Sequence, residues 1–338
     1  MPKTEQPVAT FAADPKALLP FKISELDLRI AGTRLEALIQ QLYDELDARG
    51  IRFKPKCYLA DEWGCPTDVP IIGIPFYLAD PVLCQLECDM TGVEAETEDE
   101  VMMYLRHEAG HAFNYAYRLF RQLDWRRLFG SYHKPYHDEF RAEPFSTRYV
   151  RHVPGWYGQK HPDEDFAETF AVWLKPHSNW RERYKGTRAL EKLLLVERLA
   201  REFGPQPPLV ESGRKDAPVE ELDVTLADWY EIPADDRRAC SLPLILNEDL
   251  QAVFPAEEGQ PAIEVLRSHR IQLLRDLHAW TGADRHLLAS LLQQLMARVQ
   301  GLGLKIEAGQ AESRLLALAI FVTTLVMNYN YTDEFVTD

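Results

Sequence analysis

The chain is short of several things, and each shortage narrows what the protein is. Its longest apolar run, Leu315 to Met327, falls short of the ~20 residues that span a bilayer, so it reads as a buried helix. The start, Met1-Pro-Lys-Thr-Glu-Gln-Pro, has no basic stretch leading into an apolar core, so no secretory leader is expected. Cysteines number only five, at 57, 65, 84, 88 and 240, an odd count that fits reduced thiols in a cytoplasm better than a disulfide framework. Cys84 and Cys88 share a helix face, and the expectation is two small buried apolar groups more than a metal pair. Positive charge is scarce as well. Lys and Arg total 38 against 53 Asp and Glu, a formal net charge of −15, which argues against nucleic-acid and anionic-membrane partners.

What is present is an ordinary globular composition in 338 residues, enough for one large or two ordinary domains. Apolar spacing predicts helices over 34–49, 81–88, 98–119, 163–174, 189–203, 263–280, 284–299 and 312–328. Strands are expected over Ile51–Ala60 and Val69–Leu78, both edge-like because of their prolines. The expected organisation is a loose tail over 1–20, a main domain over 21–205, an irregular connection over 206–260 and a helical region over 261–338.

One segment carries chemistry. Residues 104–114 contain His107-Glu108-Ala-Gly-His111, an H-E-x-x-H pattern inside a helical stretch. Histidines at i and i+4 share one helix face, so both imidazoles reach a single ion. Glu108 follows the first histidine directly, beside the ion but not needed to hold it, where its carboxylate can take a proton from an attacking water. Thr97-Glu-Asp-Glu100 looks like a capping box opening this helix, and the apolar stripe from Val101 to Ala116 buries it. A surface helix with two solvated histidines is the competing reading, and that stripe counts against it.

A catalytic zinc usually takes three protein ligands and leaves a fourth position open. The later helix His161-Pro-Asp-Glu164-Asp165-Phe-Ala-Glu168 stacks two carboxylates at i,i+4, which repel each other unless a cation lies near. Asp165 is a second candidate ligand. His133, His137, His152 and His161 are further candidates as ligands or oxyanion partners, and Tyr149 competes with Tyr157 as a phenol at the site.

The H-E-x-G-H helix with the later E-D-F-A-E-T-F-A helix resembles the gluzincin metallopeptidases. It looks closest to a bacterial group of zinc-binding metallopeptidases, and more distantly to the catalytic domains of anthrax lethal factor and the Mlc titration factor. The resemblance spans roughly residues 95–180. It implies Zn2+, one per chain, held by His107, His111 and Glu164, with Glu168 orienting the first histidine. It also implies a catalytic tyrosine seven residues before the ligand glutamate, which is Tyr157. The implied fold is α+β, with a small mixed sheet over the zinc helix followed by C-terminal helices. The implied activity is hydrolysis of peptide or amide bonds with Glu108 as general base. In such folds an edge strand pairs with substrate backbone, and Ile71–Leu78 is the candidate. Two rival functions stand beside it: a regulatory or interaction protein on the same scaffold, and a zinc hydrolase of a non-peptide amide. No zinc ligand is expected from His269, His278 or His286 in the C-terminal helices.

Overall fold

The structure is a computed structural model that describes residues 8–136, 140–231 and 242–336. The fold is mixed and mostly helical, with very little sheet. Two compact units divide the chain. The first comprises Met1–Glu87 and Ala95–Trp229; the second comprises Cys88–Glu94 and Tyr230–Asp338.

The first unit is organised around two crossing helices. The longer, α3 (Glu98–Tyr117), starts at Thr97, whose hydroxyl accepts from the Glu100 amide while the Glu100 carboxylate accepts from the Thr97 amide. Both bonds of the expected capping box are therefore made. Almost all of α3 from Val101 onward is buried. The second, α5 (Pro162–Leu174), begins with proline at its first position and has every residue buried. Around this pair stand α1 (Arg34–Ala48), most of α2 (Pro81–Thr91), the short α4 (Leu123–Leu128) and α6 (Arg188–Phe203). Buried between α1 and α3, the Arg106 guanidinium grips Glu45 with two hydrogen bonds of 2.7 Å.

The sheet departs from expectation. β1 (Lys56–Ala60) and β2 (Ile71–Pro75) pair in parallel, with Tyr58 opposite Gly73. A parallel pair normally needs a crossover of a dozen or more residues. Here the short connection swings to the far side of β2, where Gly64 exchanges both backbone hydrogen bonds with Gly73, at 2.7 and 3.3 Å. Strand alternation then turns the backbone groups of Ile72 and Ile74 toward β1. So β2 is flanked on both sides and wholly buried, and it is not the sheet edge that its prolines suggested; Pro70 and Pro75 merely bound it. On that outer side the chain contributes one antiparallel bridge, at Gly64. Within the expected tail, residues 1–7 lie outside the described residues, and the part from Val8 onward departs from expectation. Leu18 is fully buried, and the chain at Leu19 and Phe21 accepts hydrogen bonds from Ala227 and Leu226, so this stretch is docked rather than loose. Residues 206–229 return to the same unit through Leu209 and Val210 bonding to Ala116 and Pro218 bridging to Ala60.

The second unit is a helical bundle of α7 (Leu246–Val253), α8 (Ala262–Thr281), α9 (Arg285–Gly301) and α10 (Ala311–Thr332), with a small antiparallel bridge between β3 (Gln260–Pro261) and β4 (Lys305–Ile306). Leu250, Phe254, Leu266, Leu292 and Val322 form its core. The segment expected to be irregular thus contains a helix, α7. By length and composition alone α10 is long and apolar enough to cross a bilayer, longer than the apolar run suggested. One of its faces, Leu318, Val322, Leu325 and Val326, belongs to the bundle core, while Leu316 and Ile320 are exposed.

Candidate metal centre

Helices α3 and α5 touch backbone to backbone at Gly110 and Ala167. A Cβ on Gly110 would lie 2.7 Å from the Ala167 Cα, so only glycine allows this approach. The close crossing brings His107 and His111 from one helix against the N-terminal turns of the other.

Three atoms converge there. Nε2 of His107 lies 3.0 Å from Glu164 Oε2, Nε2 of His111 lies 3.2 Å from the same oxygen, and the two nitrogens are 3.1 Å apart. All three residues are buried. The rear of each imidazole is held by a different carboxylate. Nδ1–H of His107 donates to Glu168 Oε1, and Nδ1–H of His111 to Asp163 Oδ2, both at 2.9 Å. With the protons placed at Nδ1, both Nε2 lone pairs face one another and a carboxylate oxygen. Such a cluster of acceptors is repulsive without a cation in its middle. The triangle it forms is close to the roughly 3.3 Å edge expected of a tetrahedral site with bonds near 2.0–2.1 Å. The donor set of two nitrogens and one oxygen can hold a metal ion.

The electrostatics agree. Burial opposes charge on His107, but the hydrogen bonds to Glu164 and Glu168 outweigh it and drive its pKa up to about 10. The same contest raises His111, through Asp163 and Glu164. Burial likewise opposes ionisation of Glu164, yet the two imidazoles hold it well below the ordinary carboxylate range. Positive charge is what this pocket is built to receive.

Glu108 is different. It is buried, and its carboxylate has no hydrogen-bond partner among the described residues. Burial pushes its pKa up against the pull of His107 and His111. A carboxylate of raised pKa beside a cation site is suited to accept a proton.

The two supporting carboxylates are themselves well held. Glu168 is fully buried and accepts from the amides of His152 and Val153 at 3.0 Å. Asp163 accepts from Asn114 Nδ2 at 2.7 Å and from the Tyr115 hydroxyl. Asp163, Asn114 and Tyr115 were not singled out from the sequence. The one signal for Asp163 was its place among three acids in the first turn of α5.

Tyr157 stands near the centre, its ring 5.7 Å from that of His107. Gly155 and Trp156, both at positive φ, turn the chain into the single 3-10 turn that carries it. The remaining candidates go elsewhere. Asp165 is ion-paired to buried Lys192 at 2.6 Å, and Tyr149 packs on that same ammonium at 4.1 Å. His161 caps α5: its Nδ1 accepts from the Asp163 amide and its Nε2 donates to the Lys134 carbonyl. The Nε2 of His152 donates to the Met103 carbonyl. His133 is exposed and packs against Tyr132. His137 and Cys240 lie outside the described residues. Cys84 and Cys88 are half-buried rather than buried, and Cys84 donates to the Tyr77 carbonyl. Among the described residues the metal-binding group includes none of His269, His278 and His286. His269 and His278 bond instead to carbonyls within their own unit.

No protein-family model, curated protein or solved structure matches the chain.

Proposed function

We propose that this protein is a zinc-dependent hydrolase of peptide or amide bonds, zincin-like in fold and akin to the gluzincin metallopeptidases. The observation that carries this reading is the convergence of His107 Nε2, His111 Nε2 and Glu164 Oε2 beside the buried carboxylate of Glu108, which has no hydrogen-bond partner among the described residues. A site that only held a structural ion would have no use for that carboxylate. Two imidazoles and one carboxylate with a position to spare is a donor set suited to catalytic zinc.

When bound, zinc polarises a carbonyl and lowers the pKa of a water. The protein supplies the rest. Glu108 takes the proton of the attacking water and delivers it to the leaving amine. Tyr157, kept protonated by burial above all, donates its hydroxyl to the oxyanion of the tetrahedral intermediate. Substrate backbone pairs with the stretch around Gly64, on the outer side of β2, instead of with β2 itself. Cys65, beside that bridge, lies within reach of the charges on Glu108 and Asp163. The four described cysteines are all free, which suits a reducing cytoplasm.

The test pairs metal content with one substitution. Protein purified without added metal should carry about one zinc per chain, or take it up on titration. Glu108→Gln should keep zinc and fold while losing activity on a peptide library by on the order of 100- to 10,000-fold. Full activity in Glu108→Gln overturns the general-base role, and wild-type protein that takes up no zinc overturns the centre itself.

A further inference from the structure

The tyrosine nearest the ligand carboxylate is not Tyr157. Tyr136, from the aromatic loop after α4, donates its hydroxyl to Glu164 Oε1 at 2.8 Å. The other oxygen of the same carboxylate, Oε2, is the one that faces both histidine nitrogens. The two oxygens of Glu164 therefore have separate tasks, one turned to the metal position and one held by a phenol.

We propose that Tyr136 is a positioning residue of the metal centre: by holding Oε1 it makes Glu164 a one-oxygen ligand and keeps a coordination position open. The proposal rests on the metal-centre reading above. Carboxylates bind cations through one oxygen or both, and the choice is set by what else each oxygen bonds to. A second oxygen on the ion would occupy the place that an attacking water or a substrate carbonyl needs. A hydroxyl donor on Oε1 opposes that swing, because the oxygen would have to turn from the phenol or share its electron density between phenol and ion.

The phenol is itself located from three sides. Its ring lies 5.3 Å from that of His161, the residue that caps α5 and so is fixed relative to Glu164. The Lys160 ammonium sits 4.7 Å from the centre of its face. The Tyr157 hydroxyl is 3.4 Å from its own, close enough to accompany it but loose for a hydroxyl pair. Tyr136 and Tyr157 thus divide the work. One orients a ligand, and the other, only loosely paired to it, is left to meet the reacting group.

Cobalt(II) reports the difference without any turnover, since its visible absorption is stronger in four-coordinate sites than in five-coordinate ones. The experiment compares Co2+-loaded wild type, Tyr136→Phe and Tyr157→Phe. The Tyr136 side chain belongs to a residue that is 48% exposed, so removing one hydroxyl leaves the fold intact. Tyr136→Phe should lose visible intensity as Glu164 closes onto the ion through both oxygens, with Co2+ affinity changed by no more than about tenfold. Tyr157→Phe should keep the wild-type spectrum. Coincident spectra for wild type and Tyr136→Phe overturn the proposal, as does a loss of intensity equally large in Tyr157→Phe. Wild-type protein that binds neither Co2+ nor Zn2+ fails one step earlier and removes the metal-centre reading with it.

Discussion

Gly110 of α3 rests directly on the backbone of Ala167 in α5. A Cβ built on the glycine meets the Ala167 Cα at 2.7 Å and its carbonyl oxygen at 2.9 Å. This contact lies between the two histidines in one helix and between the two key glutamates in the other. The distance between helices at that point therefore sets the distance between the groups of the site.

Gly110→Val should push the helices apart. Overpacking of a core typically costs about 1–3 kcal/mol, and the obstacle here is backbone, which cannot rotate away. The expected outcome is a lowered unfolding midpoint together with loss of tight zinc binding. Urea denaturation and zinc titration would show it, and a variant with wild-type zinc affinity would refute the idea that this crossing gauges the site.

Asp163 and Glu168 hold the two imidazoles from behind. Asp163→Asn and Glu168→Gln should each weaken zinc binding by about 10- to 100-fold, as loss of a carboxylate behind a ligand histidine does. Competition with a chelator of known affinity measures this. Asp163 is the sharper case, because nothing in its sequence context assigned it to His111. An Asp163→Asn protein that binds zinc like the wild type would leave the Asp163–His111 contact with no role in the centre.

Arg106 precedes His107, and its charge is buried against Glu45. Glu45→Ala strands that guanidinium and should cost about 3–5 kcal/mol. The double variant Glu45→Leu/Arg106→Met should recover much of the loss, because it removes both charges. A double-mutant cycle on unfolding free energies reads the coupling; purely additive losses would mean that the pair contributes little.

His152 carries a pH signature. Burial lowers its pKa from 6.5 to about 4, so the folded protein keeps it neutral while the unfolded chain protonates it. Between these values the unfolded state binds more protons, and stability therefore falls as pH drops from 6.5 toward 4. The full shift corresponds to about 3 kcal/mol at most, less to the extent that the ring is partly open to solvent. His152→Gln should flatten the pH dependence of unfolding in that window relative to wild type. Parallel pH profiles for the two proteins would show that His152 is not the source.

Part of this protein could be read from its sequence because part of it is local. His107 and His111 share a face, as do Glu164 and Glu168, since helical geometry alone puts residues four apart one above the other. Thr97 and Glu100 announced the start of α3 for the same reason: a capping box is made within four residues. The helical periods of both units were legible too, because burial of a stripe is written into spacing. What the sequence did not decide is which distant segments meet. The partner of His111 is 52 residues away at Asp163, and the hydroxyl on Glu164 Oε1 comes from Tyr136, 28 residues earlier. The sheet shows the same limit. The prolines of β2 are compatible with an edge, but a loop glycine at position 64 crosses over and takes the edge itself. Spacing within one helix is dictated by 3.6 residues per turn, whereas meetings between segments depend on how closely two backbones can approach. At Gly110 that is decided by the absence of a single side chain.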